Sequence, residues 1–209
     1  MTDWADETEG KVLDAALSLA GEMGWSAAMT DRAARRVGLS AGERELLLPL
    51  GARDLAALLS RRHDALALET LSALDPAKMK IRERISCGVE ARLEAAFQDE
   101  QALRRWAGFL ALPANLPLAM RLVWESADHL WRWAGDTATD ENHYSKRAIL
   151  SGILISTLAA RLTGGPASAS AELTARIDNV MAFEKWKAGV KPTQAIGELT
   201  AALGRLRYR

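Results

Sequence analysis

One stretch, Ser126 to Leu162, constrains this chain more than any other. It reads SADHLWRWAGDTATDENHYSKRAILSGILISTLAARL: an aromatic helical pattern, a halt at Gly135-Asp136, then the longest apolar run of the sequence. Glycine after the periodic residues Leu130, Trp131 and Ala134 supplies a left-handed C-terminal cap. Thr139 or Asp140 can then accept the free N–H groups of the next helix, and a carboxylate there suits the positive end of its dipole. Around this hinge the rest of the chain also reads as helix. β-branched residues are few, Ala and Leu dominate, and the six prolines fall where periodic segments begin or end. The expected class is all-α.

At 209 residues, about half of them apolar, the chain fits one domain with at most a small appended subdomain. Lys plus Arg and Asp plus Glu are equal at 27 each, so no overall basic surface for nucleic acid exists. Cys87 is the single cysteine, which fits a reducing compartment. MTDWADETEG has neither an apolar signal core nor an Arg-rich transit pattern. The uncharged run Ala148 to Ala160 is too short for a membrane span and is flanked by Lys146, Arg147 and Arg161. These features predict a cytoplasmic protein.

The first 50 residues predict a helix over about 7–23, a short helix capped by Thr30, a stop at Gly38, and a third helix opened by a Ser40–Glu43 capping box. That order is a helix-turn-helix layout and resembles the N-terminal module of TetR-type regulators. The third helix, AGERELLLP, sets Glu43 and Glu45 against a single Arg44, and residues 1–62 carry eight basic and ten acidic groups. Phosphate neutralisation supplies most non-specific DNA affinity, so the module reads as degenerate and no nucleic-acid partner is expected. Arg32, Arg35 and Arg36 leave backbone contact open.

Residues 51–74 predict a long helix with Leu55, Leu58, Leu59 and Leu66 inward and Arg61-Arg62-His63 on a solvated face. A second, over about 77–97, uses Ile81, Ile85, Val89 and Leu93. Four of the seven tryptophans lie between 106 and 133, around a Pro113–Pro117 corner, and either pack a thick core or line a cavity. The helix over 140–162 is apolar nearly all round yet carries Ser151, Gly152, Ser156 and Thr157, which suits close helix approach or ligand lining equally. Gly164 to Ser170 reads as a connecting loop.

No catalytic motif stands out. His129 and His143 lie near several carboxylates, but the spacing does not match the Glu-x-x-His pairs of helical di-iron sites, and no phosphate loop, CxxC or nucleophile elbow is present. The sequence therefore predicts a non-enzyme with no metal.

Leu112-Pro113-Ala114-Asn115-Leu116-Pro117, then Ala134-Gly135-Asp136, Thr139-Asp140 and Tyr144 with Lys146-Arg147, resembles the ubiquinone-biosynthesis accessory family of the ninth Coq protein of yeast and its bacterial relatives. Phe183 to Lys187 (FEKWK) and the Gly24-Trp25 turn extend the likeness to roughly residues 10–190. One departure is His143, where many members carry Trp before the Tyr. The resemblance implies a TetR-like helical bundle that has lost DNA binding, a homodimer, and a pocket for an isoprenoid lipid presented to the di-iron demethoxyubiquinone hydroxylase. It implies no cofactor beyond a bound lipid or isoprenoid quinone intermediate. On this basis the expected lipid-binding residues are Trp106, Phe109, Leu110, Leu116, Met120, Trp124, Ile153, Leu154 and Thr157. The implied partner-facing residues are Leu93, Asp128, Leu130, Asp140, His143 and Tyr144. A TetR-type regulator sensing a hydrophobic ligand is the alternative.

From Lys185 to Arg209 six basic residues stand against one acid, Glu198. Ile196, Leu199, Leu203 and Leu206 fall on one helical face, with Arg205 and Arg207 beside them, so a basic amphipathic helix on an anionic membrane is expected. The expected organisation is residues 1–50 as the degenerate helix-turn-helix, 51–190 as the lipid-binding and dimerisation domain, and 191–209 as the amphipathic helix. Peripheral attachment at the inner face of the bacterial inner membrane follows.

Overall fold

A computed structural model describes residues 4–137 and 141–189. The described residues are helical, joined by short turns, and contain no strand. In chain order they form α1 (Trp4–Met23), α2 (Ala27–Arg36), α3 (Ala41–Leu47), α4 (Ala52–Leu71), α5 (Ile81–Ala96), α6 (Glu100–Leu110), α7 (Leu116–Trp133) and α8 (Glu141–Gly189). Single 3-10 turns at Pro76–Lys78, Phe97–Asp99 and Pro113–Asn115 link the middle helices.

Local chemistry sets most of these boundaries. Ser40 Oγ accepts from the Glu43 N–H at 3.3 Å while the Glu43 carboxylate accepts from the Ser40 N–H at 2.8 Å, the reciprocal cap that opens α3. α2 departs from expectation: Ser26 is its cap, accepting from the Met29 N–H at 3.2 Å. Thr30 lies inside the helix, buried, and donates back to the Ser26 carbonyl at 3.1 Å, as a mid-helix threonine does. Gly135 ends the α7 region with φ +86°, a conformation that strains residues bearing a Cβ. The supposed loop at 164–170 is instead helical except at Gly165 (φ +76°), where α8 breaks before Pro166 and continues. By length and composition Asn142–Ala182 is apolar enough to cross a membrane, yet its Leu150, Ile153, Leu154, Leu173 and Ile177 are packed in the core.

Two apolar cores result. The first joins α1 and α2 to α4 and α6 through Val12, Ala16, Met29, Leu55, Leu59, Leu103 and Trp106, and runs without interruption across residue 50. The second joins α5, α7 and α8 through Ile85, Val89, Leu130, Leu150 and Ile177. Leu158 of α8 packs against both.

Candidate functional site

The corner between α6 and α7 is built around one amide. Asn115, buried, donates from Nδ2 to the Phe109 carbonyl at 2.9 Å and accepts on Oδ1 from Arg53 Nε at 2.9 Å, while Arg53 Nη2 reaches the Ala114 carbonyl at 3.2 Å. With α7 turned at this point, a cavity of about 390 Å³ opens between the two cores. Its walls come from α5, α6, α7 and α8, with Ser60 from α4. Ala96, Ala107, Ala119 and Ala159 face it, and methyl-sized side chains at these positions leave space that leucines would fill. Its size falls within the range of small-ligand sites.

The two ends of the cavity differ. Leu116, Met120 and Ile155 line it while remaining 48%, 55% and 48% exposed, so they form its mouth. Ser60, Arg92 and Ser126 also line it but are buried, and they form a polar inner end. Between them lie Trp106, Leu110 and Leu122. The Trp106 indole N–H donates to the Ala56 carbonyl at 3.0 Å, which satisfies its polar group within the wall.

The inner end is an ion-pair network. Arg92 Nε donates to Asp64 Oδ1 at 2.5 Å, Ser126 Oγ donates to the same oxygen at 2.7 Å, and Arg92 Nη2 donates to Ser60 Oγ at 3.2 Å. His129 Nδ1 lies 3.6 Å from Asp64 Oδ2 on the solvent side. Burial alone would raise the Asp64 pKa, but His129, Arg92 and Ser126 together hold it below the ordinary carboxylate value. The Asp64 carboxylate in turn raises the His129 pKa against partial burial. His63, assigned above to a solvated face, is buried edge-on to Trp106 with centroids 6.2 Å apart. Burial, then the nearby Arg92 charge, lowers its pKa to about 3, so it stays neutral.

A second network fastens α7 to α8. The buried Arg147 guanidinium donates from Nε to Asp128 Oδ1 at 2.6 Å and from Nη1 to Asp136 Oδ2 at 3.0 Å and the His143 carbonyl at 3.1 Å. Lys146 Nζ donates to Asp136 Oδ1 at 2.6 Å, and the Trp131 indole N–H donates to the Lys146 carbonyl at 3.0 Å. The Asp136, Lys146 and Arg147 of the sequence motif are therefore one joint. Beside it Tyr144 is 64% exposed, with the His143 and Trp124 rings at centroid distances of 5.2 and 6.3 Å.

Of the residues expected to line a lipid site, Trp106, Leu110, Leu116, Met120 and Leu154 do line the cavity. Phe109 packs against the first core, Ile153 is inside the second, Trp124 leans on Tyr144, and Thr157 is fully buried away from the cavity wall. Of the partner-facing set, Tyr144, His143 and Asp128 lie around the α7–α8 joint, whereas Leu130 is buried in the second core and Leu93 is buried in the cavity wall. Asp140 lies outside the described residues, as do Ile196, Leu199, Leu203, Arg205, Leu206 and Arg207. Sequence reasoning missed Ser60, Asp64, Arg92 and Ser126. For three of them the signal was present: Ser60, Arg92 and Ser126 are polar residues beside the buried Leu59, Leu93 and Ala127 of otherwise apolar stripes.

A profile of the COQ9 family matches residues 116–184, covering the cavity mouth and the α7–α8 joint. The chain is 31% identical over 163 residues to the ubiquinone biosynthesis protein COQ9-B, mitochondrial, of Xenopus laevis, covering 73% of this chain and 54% of that protein. It is 30% identical to the Xenopus tropicalis COQ9 protein (71% and 49%) and 27% identical to that of Homo sapiens (71% and 48%). The chain spans about half the length of these curated relatives.

Proposed function

This chain carries the COQ9 family domain, and from that premise we propose that it is an accessory protein of ubiquinone biosynthesis that binds an isoprenoid quinone intermediate. The observation that carries the reading is the cavity: about 390 Å³, walled by apolar side chains, with an apolar mouth at Leu116, Met120 and Ile155. Burying a prenyl tail there contributes roughly 0.8 kcal/mol per CH₂-sized group removed from water, enough for binding without many polar contacts.

The protein hands this lipid to the demethoxyubiquinone hydroxylase, docked on the surface of the exposed Tyr144 and half-buried His143 near Asp128. A second copy packs on α8, whose Ile149 and Met181 expose apolar side chains. The basic residues of 191–209 hold the complex on an anionic membrane at roughly 1 kcal/mol per side chain near the surface. The regulator alternative gains little from α3, where Arg44 Nε lies 3.3 Å from Asp31 Oδ1 and Leu46 is exposed.

Lipid extraction and mass spectrometry of the natively purified protein test the reading. A co-purifying prenylated quinone or its aromatic precursor is expected. Bulk phospholipid alone would leave a lipid carrier without quinone specificity, and an empty protein would remove the reading.

A further inference from the structure

The polar inner end assigns an orientation and a head chemistry to the ligand, an inference that rests on the cavity being a prenyl-lipid site. We propose that the ligand enters head-first, with a compact, uncharged hydrogen-bond-accepting ring held by Arg92 and its tail leaving past Leu116, Met120 and Ile155.

Direction comes from the geometry. Ser126 is ten residues beyond Leu116 on α7, about 15 Å further along at 1.5 Å per residue. The exposed lip and the buried polar group thus sit at opposite ends of one helix face. A tail at the inner end would leave the Arg92 and Ser126 polar groups against hydrocarbon, which is unfavourable. A polar ring at the lip would face apolar side chains.

Head chemistry comes from the unused hydrogen-bonding capacity. Arg92 commits Nε to Asp64 and Nη2 to Ser60, while Nη1 donates to no acceptor among the described residues. A ring carbonyl or methoxy oxygen is an acceptor and matches that donor. The charge requirement follows from Asp64, which already balances Arg92 inside the protein, while His129 lies outside the cavity wall, its side chain 43% exposed. A carboxylate or phosphate head would bring an unbalanced charge into this low-dielectric end, whereas a quinone would not. A ring held here is sequestered from solvent, so transfer to an enzyme requires the ligand to back out through the mouth.

The test is titration calorimetry of the full-length protein with three probes: a 1,4-benzoquinone bearing a two-unit prenyl tail, the prenyl hydrocarbon without the ring, and a fatty carboxylate of similar length. The quinone is expected to bind at least tenfold more tightly than the other two. Arg92→Lys should reduce that preference by roughly fivefold to tenfold, as loss of one hydrogen bond does, with hydrocarbon affinity unchanged. A bulky fluorophore on the ring should abolish binding, while the same group at the tail terminus is tolerated.

Equal affinity for quinone and hydrocarbon overturns head recognition and leaves the prenyl-lipid site standing. Tighter binding of the carboxylate overturns the uncharged head. Tolerance of the ring fluorophore overturns the orientation, and failure of every probe to bind overturns the cavity reading itself. The wild-type preferences decide the question even where Arg92→Lys fails to fold.

Discussion

Arg92 and Arg147 are both buried arginines held by aspartates, and they are built for different ends. Arg147 is held by two carboxylates and a main-chain carbonyl, and the residues it binds lie 4 to 19 positions away. Arg92 has one carboxylate and one serine, from positions 28 and 32 residues earlier, and keeps a donor beside an apolar cavity. A network away from the cavity fastens two helices, whereas a network at the cavity wall can receive a ligand. The comparison separates structural from functional burial of charge.

The largest expected effect is on the closed joint. Arg147→Met leaves Asp128 facing Arg132 alone and the buried Asp136 with only Lys146 of these cations, and should cost about 3 kcal/mol or more in urea unfolding followed by circular dichroism. A loss under 1 kcal/mol would mean that the joint is dispensable and the contrast false.

Arg92→Met should lose about 3 kcal/mol because Asp64 is left buried with only His129 as a partner cation. Adding Asp64→Asn should recover at least half of that, since the uncompensated charge is gone. No such recovery would show that Arg92 acts through packing rather than through its charge.

Smaller still is the pH dependence, which sharpens the comparison because two histidines flank the Arg92 network. His129 has a raised pKa when folded, so its stabilisation is complete below 6.5 and lost as pH rises through the folded value. His63 is depressed to about 3, so the unfolded chain binds the extra proton below 6.5 and stability falls as pH drops from 6.5 toward 3. His129→Gln should flatten the alkaline limb of a stability–pH curve. His63→Gln should flatten the acid limb, whose slope from one group cannot exceed about 1.4 kcal/mol per pH unit.

The sequence by itself determined the all-helical class, the halt at Gly135 and the Ser40–Glu43 cap, because each depends on residues within a few positions of one another. The same locality brought Asp136, Lys146 and Arg147 into view as a motif, although not as an ion-paired joint. Thr30 was misplaced because Ser26, four residues earlier, offers the same cap, and His63 because composition marks a residue as polar without saying which side of its helix meets another. Helical periodicity identifies an inward stripe, but not the stripe it will face. Asp64, Arg92 and Ser126 come from α4, α5 and α7, and only the packing of those helices makes them one polar pocket end. The cavity itself has the same origin: alanines on four helices are ordinary helix formers until the fold turns them toward a common space.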